Sequence, residues 1–484
     1  MSKTLSEDIE AKTFLREYLK ELHNKNAAVF IGAGMSIPAG YVDWKGLLHD
    51  IIVDLKLDPE KEFDLVTVAQ YSVNKLSGKT ALTKKIVEEF SRVKKPQPNH
   101  EILAQLPIQV YWTTNYDKLI ETALQNAKKV PDVKHTAKQL RVTRPDRDVT
   151  VYKMHGDVEY ADDAVISKDD YERYPRDMDS FVQALSGDFI ERTFLFLGFS
   201  FTDPNIDYIL SRLRANYTGS SRPHYCIMKR VGPKDYGTKK DSDYYRLRQQ
   251  YFIKDLGRFG VQTVLVDEYK GITDLLRELA IKYKRNSVFM SGSAKVYGKW
   301  GEAAALDFAH DLSYELASKK NRVVTGFGLG IGSAVINGVL KYLDEQDKTI
   351  SDEDLVMRPF PQVSTKGQDL DKLKDSYRSS MLRHAGLGIF IFGNKEVSGK
   401  NVNSPGVEKE FDLCVANGGK PIAVGATGYM AEELWKRVTR DWDRYFKGMP
   451  ASFKKDYMSL GKAPKNLSDL IPAITRLVKE LQKN

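Results

Sequence analysis

Two polar residues close apolar runs early in the sequence: Asn115, after Ile108-Gln109-Val110-Tyr111-Trp112-Thr113-Thr114, and His155, after Val149-Thr150-Val151-Tyr152-Lys153-Met154. An imidazole with a reference pKa of about 6.5 accepts a proton near neutral pH, and a carboxamide donates and accepts hydrogen bonds without changing charge. A third run empties into Gly32-Ala33-Gly34-Met35-Ser36, a tight turn whose backbone N–H groups can face an anion. Its glycines allow positive φ and let a diphosphate approach without meeting a Cβ. A fourth run, Thr193-Phe194-Leu195-Phe196-Leu197, opens into Gly198-Phe199-Ser200. Each feature has an ordinary reading: a strand-end histidine is commonly structural, an asparagine there commonly forms a turn, and Gly-x-Gly is often only a turn. Asp117 could orient neighbouring donors, but capping the helix that starts beside it is the better reading. Asn115 and His155 gain weight because both close strands on the edge where the glycine loop must lie.

These loops need elements to hold them. The spacing of Ile9, Phe14, Leu15, Tyr18, Leu19 and Leu22 predicts a leading helix, and helical patterns recur over 44–55, 65–73 and 81–90 before Pro96, Pro98 and Asn99 interrupt them. Thereafter the unit is strand, polar turn, helix: 108–115 then 116–124, 149–154 ending at His155-Gly156-Asp157, and 193–197 then 206–213. Strands at 224–228 and 261–266 precede a helix over 272–283. Apolar strands alternating with helices predict an α/β fold with an open parallel sheet and the site along its carboxyl edge. At 282–286 the pattern restarts: a strand at 287–290, the turn Ser291-Gly292-Ser293, a helix at 302–317 and a strand at 322–325. Gly326-Phe327-Gly328-Leu329-Gly330 follows, then strand-and-glycine units at 388–395 and 420–428. Two Rossmann-like domains, each a mostly parallel sheet flanked by helices, are expected at 1–284 and 285–484, with Gly292, Gly328 and Gly330 in further phosphate-cradle loops.

At 484 residues, 42% hydrophobic and 29% charged, the chain has an ordinary globular composition and is too long for one core. A net charge of +9 suits an anionic partner. Charges of both signs interleave, as in Lys84-Lys85-Ile86-Val87-Glu88-Glu89, so no nucleic acid partner is expected. Cys226 and Cys414 alone build neither a disulfide framework nor a four-cysteine zinc site, and no metal is expected. Glu7 and Asp8 stand where a signal peptide would have an apolar core, and no apolar run approaches bilayer length. A cytoplasmic location without membrane contact is the expectation.

The ordered set Gly32-Ala33-Gly34-Met35-Ser36, Thr113-Thr114-Asn115-Tyr116-Asp117, Lys153-Met154-His155-Gly156 and Gly198-Phe199-Ser200 resembles the sirtuin family over roughly residues 10–283. The resemblance implies that Gly32, Ala33, Gly34, Ser36, Asp117, Gly198 and Ser200 bind NAD and that Asn115 and His155 cleave its nicotinamide–ribose bond. The transition state is oxocarbenium-like, so the site must hold NAD bent and direct a nucleophile to the anomeric carbon. Asn115 would hydrogen-bond the ribose or position a water, and His155 would take a proton from a ribose hydroxyl or that water. Two departures matter. Deacylases of the family carry a zinc module held by four cysteines, and where they present Pro-Asp-Phe-Arg this chain reads Gly40-Tyr41-Val42-Asp43-Trp44. Water then becomes the more plausible acceptor, which turns a deacylase plan into NAD hydrolysis.

The second half resembles the SLOG family of Rossmann-like nucleotide sensors, related to the LOG hydrolases, but lacks their Pro-Gly-Gly-x-Gly-Thr loop, so ligand binding is favoured over catalysis. A sirtuin-like domain followed by SLOG resembles the effector family of the Thoeris anti-phage systems across essentially the whole chain. That resemblance implies a cyclic ADP-ribose isomer as activator, supplied by a TIR-domain partner protein, and a homotetramer or larger assembly that consumes cellular NAD. Ser291, Gly292, Gly328 and Gly330 would cradle the activator, Arg378 would clamp a phosphate, Lys395 would add charge, and Glu410 would bind ribose hydroxyls. Read without the resemblance, Arg378 is a solvated helix residue and Glu410 pairs with Lys409 at the surface. Two alternatives stand beside NAD hydrolysis: a zinc-free NAD-dependent protein deacylase, and a non-catalytic nucleotide-sensing signalling assembly.

Overall fold

The computed structural model describes residues 9–483 apart from 217–221, 234, 362–366, 368 and 384; the acidic segment 1–8 read above lies outside them. The chain forms two compact units that divide between Ala280 and Ile281, inside the helix Tyr269–Lys284. Each is a Rossmann-like α/β unit.

The first unit is built on β1 (Ala27–Ile31), β2 (Val110–Thr113), β3 (Pro131–Lys134), β4 (Val149–Lys153), β5 (Thr193–Leu197), β6 (His224–Lys229) and β7 (Val261–Val266). Their order across the sheet is β3-β4-β2-β1-β5-β6-β7 and every pairing is parallel. β1 and β5 run side by side in register from Ala27↔Thr193 to Ile31↔Leu197, with every residue buried. Strands buried on both sides in this way are read as continuous apolar runs rather than as an alternating pattern. Chain order reverses between β1 and β5, so the crevice past their carboxyl ends is the natural ligand position.

Local departures from the sequence reading have simple causes. Pro98, read as an interruption, is the first residue of the helix Pro98–Gln105, where a missing N–H is no loss. Residues 114–118 form an open loop before the helix Leu119–Asn126, which therefore starts later than 116. The glycine loop does not feed an α-helix directly: two short 3₁₀ turns, Ala33–Met35 and Ile37–Ala39, separate it from the helix Trp44–Asp54, capped by Asp43 accepting the Gly46 N–H at 2.8 Å.

The second unit has β8 (Ser287–Ser291), β9 (Arg322–Thr325), β10 (Leu355–Met357), β11 (Leu387–Phe390) and β14 (Lys420–Ala423) in the order β10-β9-β8-β11-β14, again parallel throughout. The run 388–395 is not one strand. β11 stops at Phe390, Phe392 and Gly393 turn the chain through φ of 54° and 90°, and β12 (Asn394–Val397) then pairs antiparallel with β13 (Lys400–Asn403) as a separate hairpin. Helices Tyr429–Arg440, Ala451–Ser459 and Ile471–Lys483 add Leu434, Val438, Phe453, Tyr457, Ile474 and Leu477 to this unit's core. No helix among the described residues is long and apolar enough to cross a membrane.

Candidate active site

At the β1–β5 crevice two loops lock together. The Gly32 N–H donates to Leu197 O at 3.0 Å and the Gly34 N–H to Gly198 O at 2.9 Å, while the Met35 and Ser36 N–H groups close on the Gly32 and Ala33 carbonyls. A Cβ on Gly32 would lie 2.4 Å from Gly198 O, and one on Gly34 would lie 2.9 Å from Gly198 Cα. Neither glycine adopts positive φ; Gly198 does, at 62°. The sequence reading is therefore corrected: glycine is required at 32 and 34 by the approach of the opposite loop, and most of the loop's amides are used inside the protein. Among the described residues, Ala33 is left as the loop amide free to meet a ligand.

Behind this junction runs a chain of hydrogen bonds. Asn115 Nδ2 donates to Ser36 Oγ at 3.0 Å, and Ser36 Oγ donates to Asp117 Oδ2 at 2.6 Å. Asp117 Oδ1 accepts the Leu119 N–H at 2.9 Å, so this residue both caps the helix and orients Ser36. The Asn115 N–H is held by Thr113 Oγ1 at 2.9 Å, whose hydroxyl donates to Ile31 O on β1 at 2.8 Å. With Nδ2 engaged, Asn115 presents its Oδ1, an acceptor able to hold a water or a hydroxyl.

A cleft of about 830 Å³ opens over the crevice, with Ala33, Gly34, His155, Gly198 and Ser200 in its walls. Asn115, Ser36 and Asp117 line an adjoining cavity of about 40 Å³ that shares Ala33, Asp43, Trp44 and Thr114 with the larger one. The candidate catalytic pair thus sits on neighbouring chambers with a common wall. The large volume lies within the usual range for ligand clefts. Burial holds the His155 imidazole below its ordinary pKa, against the pull of Asp203 and Asp170, so it is neutral at pH 7 and has a lone pair with which to accept a proton.

Two residues that the sequence reading passed over shape this site. Lys153 is fully buried and donates to Tyr116 O at 3.1 Å, to Asp117 O and to Glu121 Oε1 at 3.0 Å, tying the Asn115 loop to the His155 loop. Asp203 Oδ2 stands 3.3 Å from His155 Nε2. A buried lysine inside an otherwise apolar strand was the available signal for the first; Asp203 ahead of Pro204, at a helix start, reads only as a cap.

In the second unit Ser291 Oγ donates to Glu410 Oε2 at 2.5 Å, and Arg378 Nε lies 3.4 Å from Glu410 Oε1. Glu410 is buried and Arg378 is partly buried against it, which corrects the surface readings of Arg378 and of a Glu410–Lys409 pair; Lys409 pairs with Asp375 at 3.0 Å instead. Burial pushes the Glu410 carboxyl up, opposed by Ser291 and Arg378. Arg378 also stacks its guanidinium 5.0 Å from the Phe360 ring. The glycine loops interlock as in the first unit: a Cβ on Gly328 would meet Gly292 O at 1.8 Å, and Gly330, at φ 87°, abuts Ala294 O. Lys395 is exposed on the hairpin, and no contact among the described residues joins it to Arg378 or Glu410.

Residues 109–255 match the SIR2-like domain family and residues 271–481 match the Sir2- and TIR-associating SLOG family. The chain is 44% identical over 469 residues to the NAD(+) hydrolase ThsA of Bacillus cereus (strain MSX-D12), covering 97% of this chain and 98% of that one. It is 43% identical over 481 residues to the NAD(+) hydrolase ThsA of Cytobacillus dafuensis, covering 98% and 97%. Defense-associated sirtuin 2 of Bacillus subtilis matches more distantly, at 28% identity over 41% of this chain and 20% of its own length. Identity and coverage at the level of the first two place the whole chain, both units together, in one family: it belongs to the NAD(+) hydrolases ThsA.

Proposed function

We propose that residues 1–284 hydrolyse NAD to nicotinamide and ADP-ribose, and that a cyclic ADP-ribose isomer bound by residues 285–484 switches this activity on, depleting cellular NAD in anti-phage defence. One observation carries the catalytic half: the loops after β1 and β5 meet at the chain-order reversal and open on a cleft of about 830 Å³ that contains His155, with Asn115 across a shared wall. Kinship to relatives named NAD(+) hydrolases supports the same reading.

NAD lies along the crevice with its diphosphate near Ala33 and the Gly198–Ser200 turn. Asn115 Oδ1, fixed through Ser36 and Asp117, positions a water at the anomeric carbon. The bond to nicotinamide breaks, water oxygen bonds to that carbon, and the neutral imidazole of His155 takes the water's proton. In the second unit, Arg378 would release Glu410 to receive ribose hydroxyls while its planar fork takes a phosphate; Ser291, Gly292, Gly328 and Gly330 would cradle the ligand and Lys395 would add charge. The signal comes from a TIR-domain partner protein, the working form is a cytoplasmic homotetramer or larger assembly, and no metal takes part. For the ligand to activate, it must bind the active arrangement more tightly than the resting one.

The test separates the two halves. Asn115→Ala should lose nicotinamide release while binding the activating isomer as the wild type does, measured by calorimetry. Arg378→Ala should need more isomer for the same rate. Turnover persisting in Asn115→Ala, or unchanged isomer affinity in Arg378→Ala, overturns the corresponding assignment.

A further inference from the structure

The stretch Gly198-Phe199-Ser200-Phe201-Thr202-Asp203 contributes more to the site than its glycine turn. Asp203 Oδ2 stands 3.3 Å from His155 Nε2, and both residues line the large cleft. Nε2 is buried and makes no aligned hydrogen bond in this conformation, and the residue as a whole is 1% exposed, in the wall of the cleft. Asp203 is itself anchored from both oxygens. Oδ1 accepts the Asn205 and Ile206 N–H groups at 3.0 and 3.2 Å, capping the helix Pro204–Asn216, and Oδ2 accepts the Tyr171 hydroxyl at 3.2 Å. The Tyr171 and Tyr174 rings meet the imidazole edge to face, with centroids 5.4 and 6.3 Å away.

The charged and titratable groups around His155 are Asp203 at the start of one helix and Asp170, Tyr171 and Tyr174 on the helix Lys168–Asp177. Asp170 is committed elsewhere: it accepts from Ser167 Oγ at 2.7 Å and pairs with Lys79 at 2.9 Å. Burial pushes both tyrosines well above their ordinary pKa, so they stay neutral. Asp203 is therefore the carboxylate placed to address the ring nitrogen that faces away from solvent.

We infer that Asp203 is a positioning residue for His155: its carboxylate draws the imidazole proton onto Nε2, leaves the Nδ1 lone pair open to the cleft, and stabilises the imidazolium once that lone pair has taken a proton. The inference rests on His155 acting as the base of NAD hydrolysis. In that step the water oxygen bonds to the anomeric carbon, the carbon–nitrogen bond breaks, nicotinamide leaves neutral with the bonding pair, and the water's proton goes to Nδ1. A small ring rotation closes the 3.3 Å approach into a hydrogen bond as the charge develops.

Initial rates of nicotinamide release across pH 5–9 decide it, using the cyclic ADP-ribose isomer that gives the highest wild-type rate. Asp203→Asn retains a helix cap, so it should fold, keep KM for NAD within about twofold, and lose kcat by about 100-fold or more. The acidic limb of its kcat/KM profile should move to lower pH, because the carboxylate that favours the imidazolium is gone. Asp203→Glu should restore part of both effects. Should Asp203→Asn not fold, Asp203→Ser supplies an alternative cap and the same readout. A dead His155→Ala beside an Asp203→Asn with wild-type kcat and an unmoved limb overturns the positioning role alone. Equal rates in wild type and His155→Ala, or no release from wild type, overturn the hydrolase reading beneath it.

Discussion

Lys153→Met probes how the two catalytic loops are held. Lys153 is fully buried, with Tyr116 O, Asp117 O and Glu121 Oε1 as acceptors and Asp157 Oδ2 at 2.7 Å. Burial pushes the Asp157 carboxyl up, and Lys153 and Lys118 more than offset it. Methionine conserves most of the volume but leaves Glu121 and two carbonyls without their cation, and Asp157 with Lys118 alone at 3.3 Å. Removing one partner of a buried charge cluster costs about 3–5 kcal/mol. A unit of this size shifts its melting temperature by about 2 °C per kcal/mol, so the transition should fall by about 6–10 °C. Replacing the whole cluster, Lys153→Met with Glu121→Gln and Asp157→Asn, should recover most of that loss, because no buried charge is then left unpaired. Scanning fluorimetry of the single and triple variants measures both. A drop below about 2 °C for the single variant, or a triple variant as unstable as the single one, refutes the reasoning from buried charge.

Other outcomes follow from the same geometry. Gly32→Ala places a Cβ 2.4 Å from Gly198 O, a backbone atom that cannot swing away, so the variant should lose about 1–3 kcal/mol in urea unfolding and bind NAD more weakly; unaltered stability contradicts the loop-to-loop account. His224 is buried on β6, and burial lowers its pKa from 6.5 to about 4. The folded protein keeps this ring neutral while the unfolded chain binds a proton below about 6.5, so stability falls as pH drops from about 6.5 to about 4, by about 3 kcal/mol. His224→Gln should flatten that slope in urea titrations at successive pH values; an unchanged slope removes His224 as its source.

Much of this was legible because a parallel sheet writes its site at strand ends. Asn115, His155 and Gly198 follow apolar runs that became β2, β4 and β5, and the order of those runs was enough to place them on one edge. Other parts were hidden by tertiary causes. β3 begins on Pro131 and carries Asp132 and Lys134, a composition that reads as loop; it is a strand because it sits at the sheet edge, where proline is tolerated. The reason for glycine at 32 lies at Gly198, far along the chain, so local sequence offered positive φ where the structure required clearance. Lys153 belongs to a motif quoted from the sequence and Asp203 lies just past another, but their partners at Glu121, Asp157 and His155 are fixed only by the fold. The antiparallel hairpin holding Lys395 was masked by the continuous pattern 388–395, which positive φ at Phe392 and Gly393 breaks.

The most direct test of the central claim is nicotinamide release from NAD by the purified protein, with and without a panel of cyclic ADP-ribose isomers, wild type beside His155→Ala. The account predicts release that depends on one isomer and disappears in the variant. Release that proceeds equally in His155→Ala, or no release with any isomer, would contradict it.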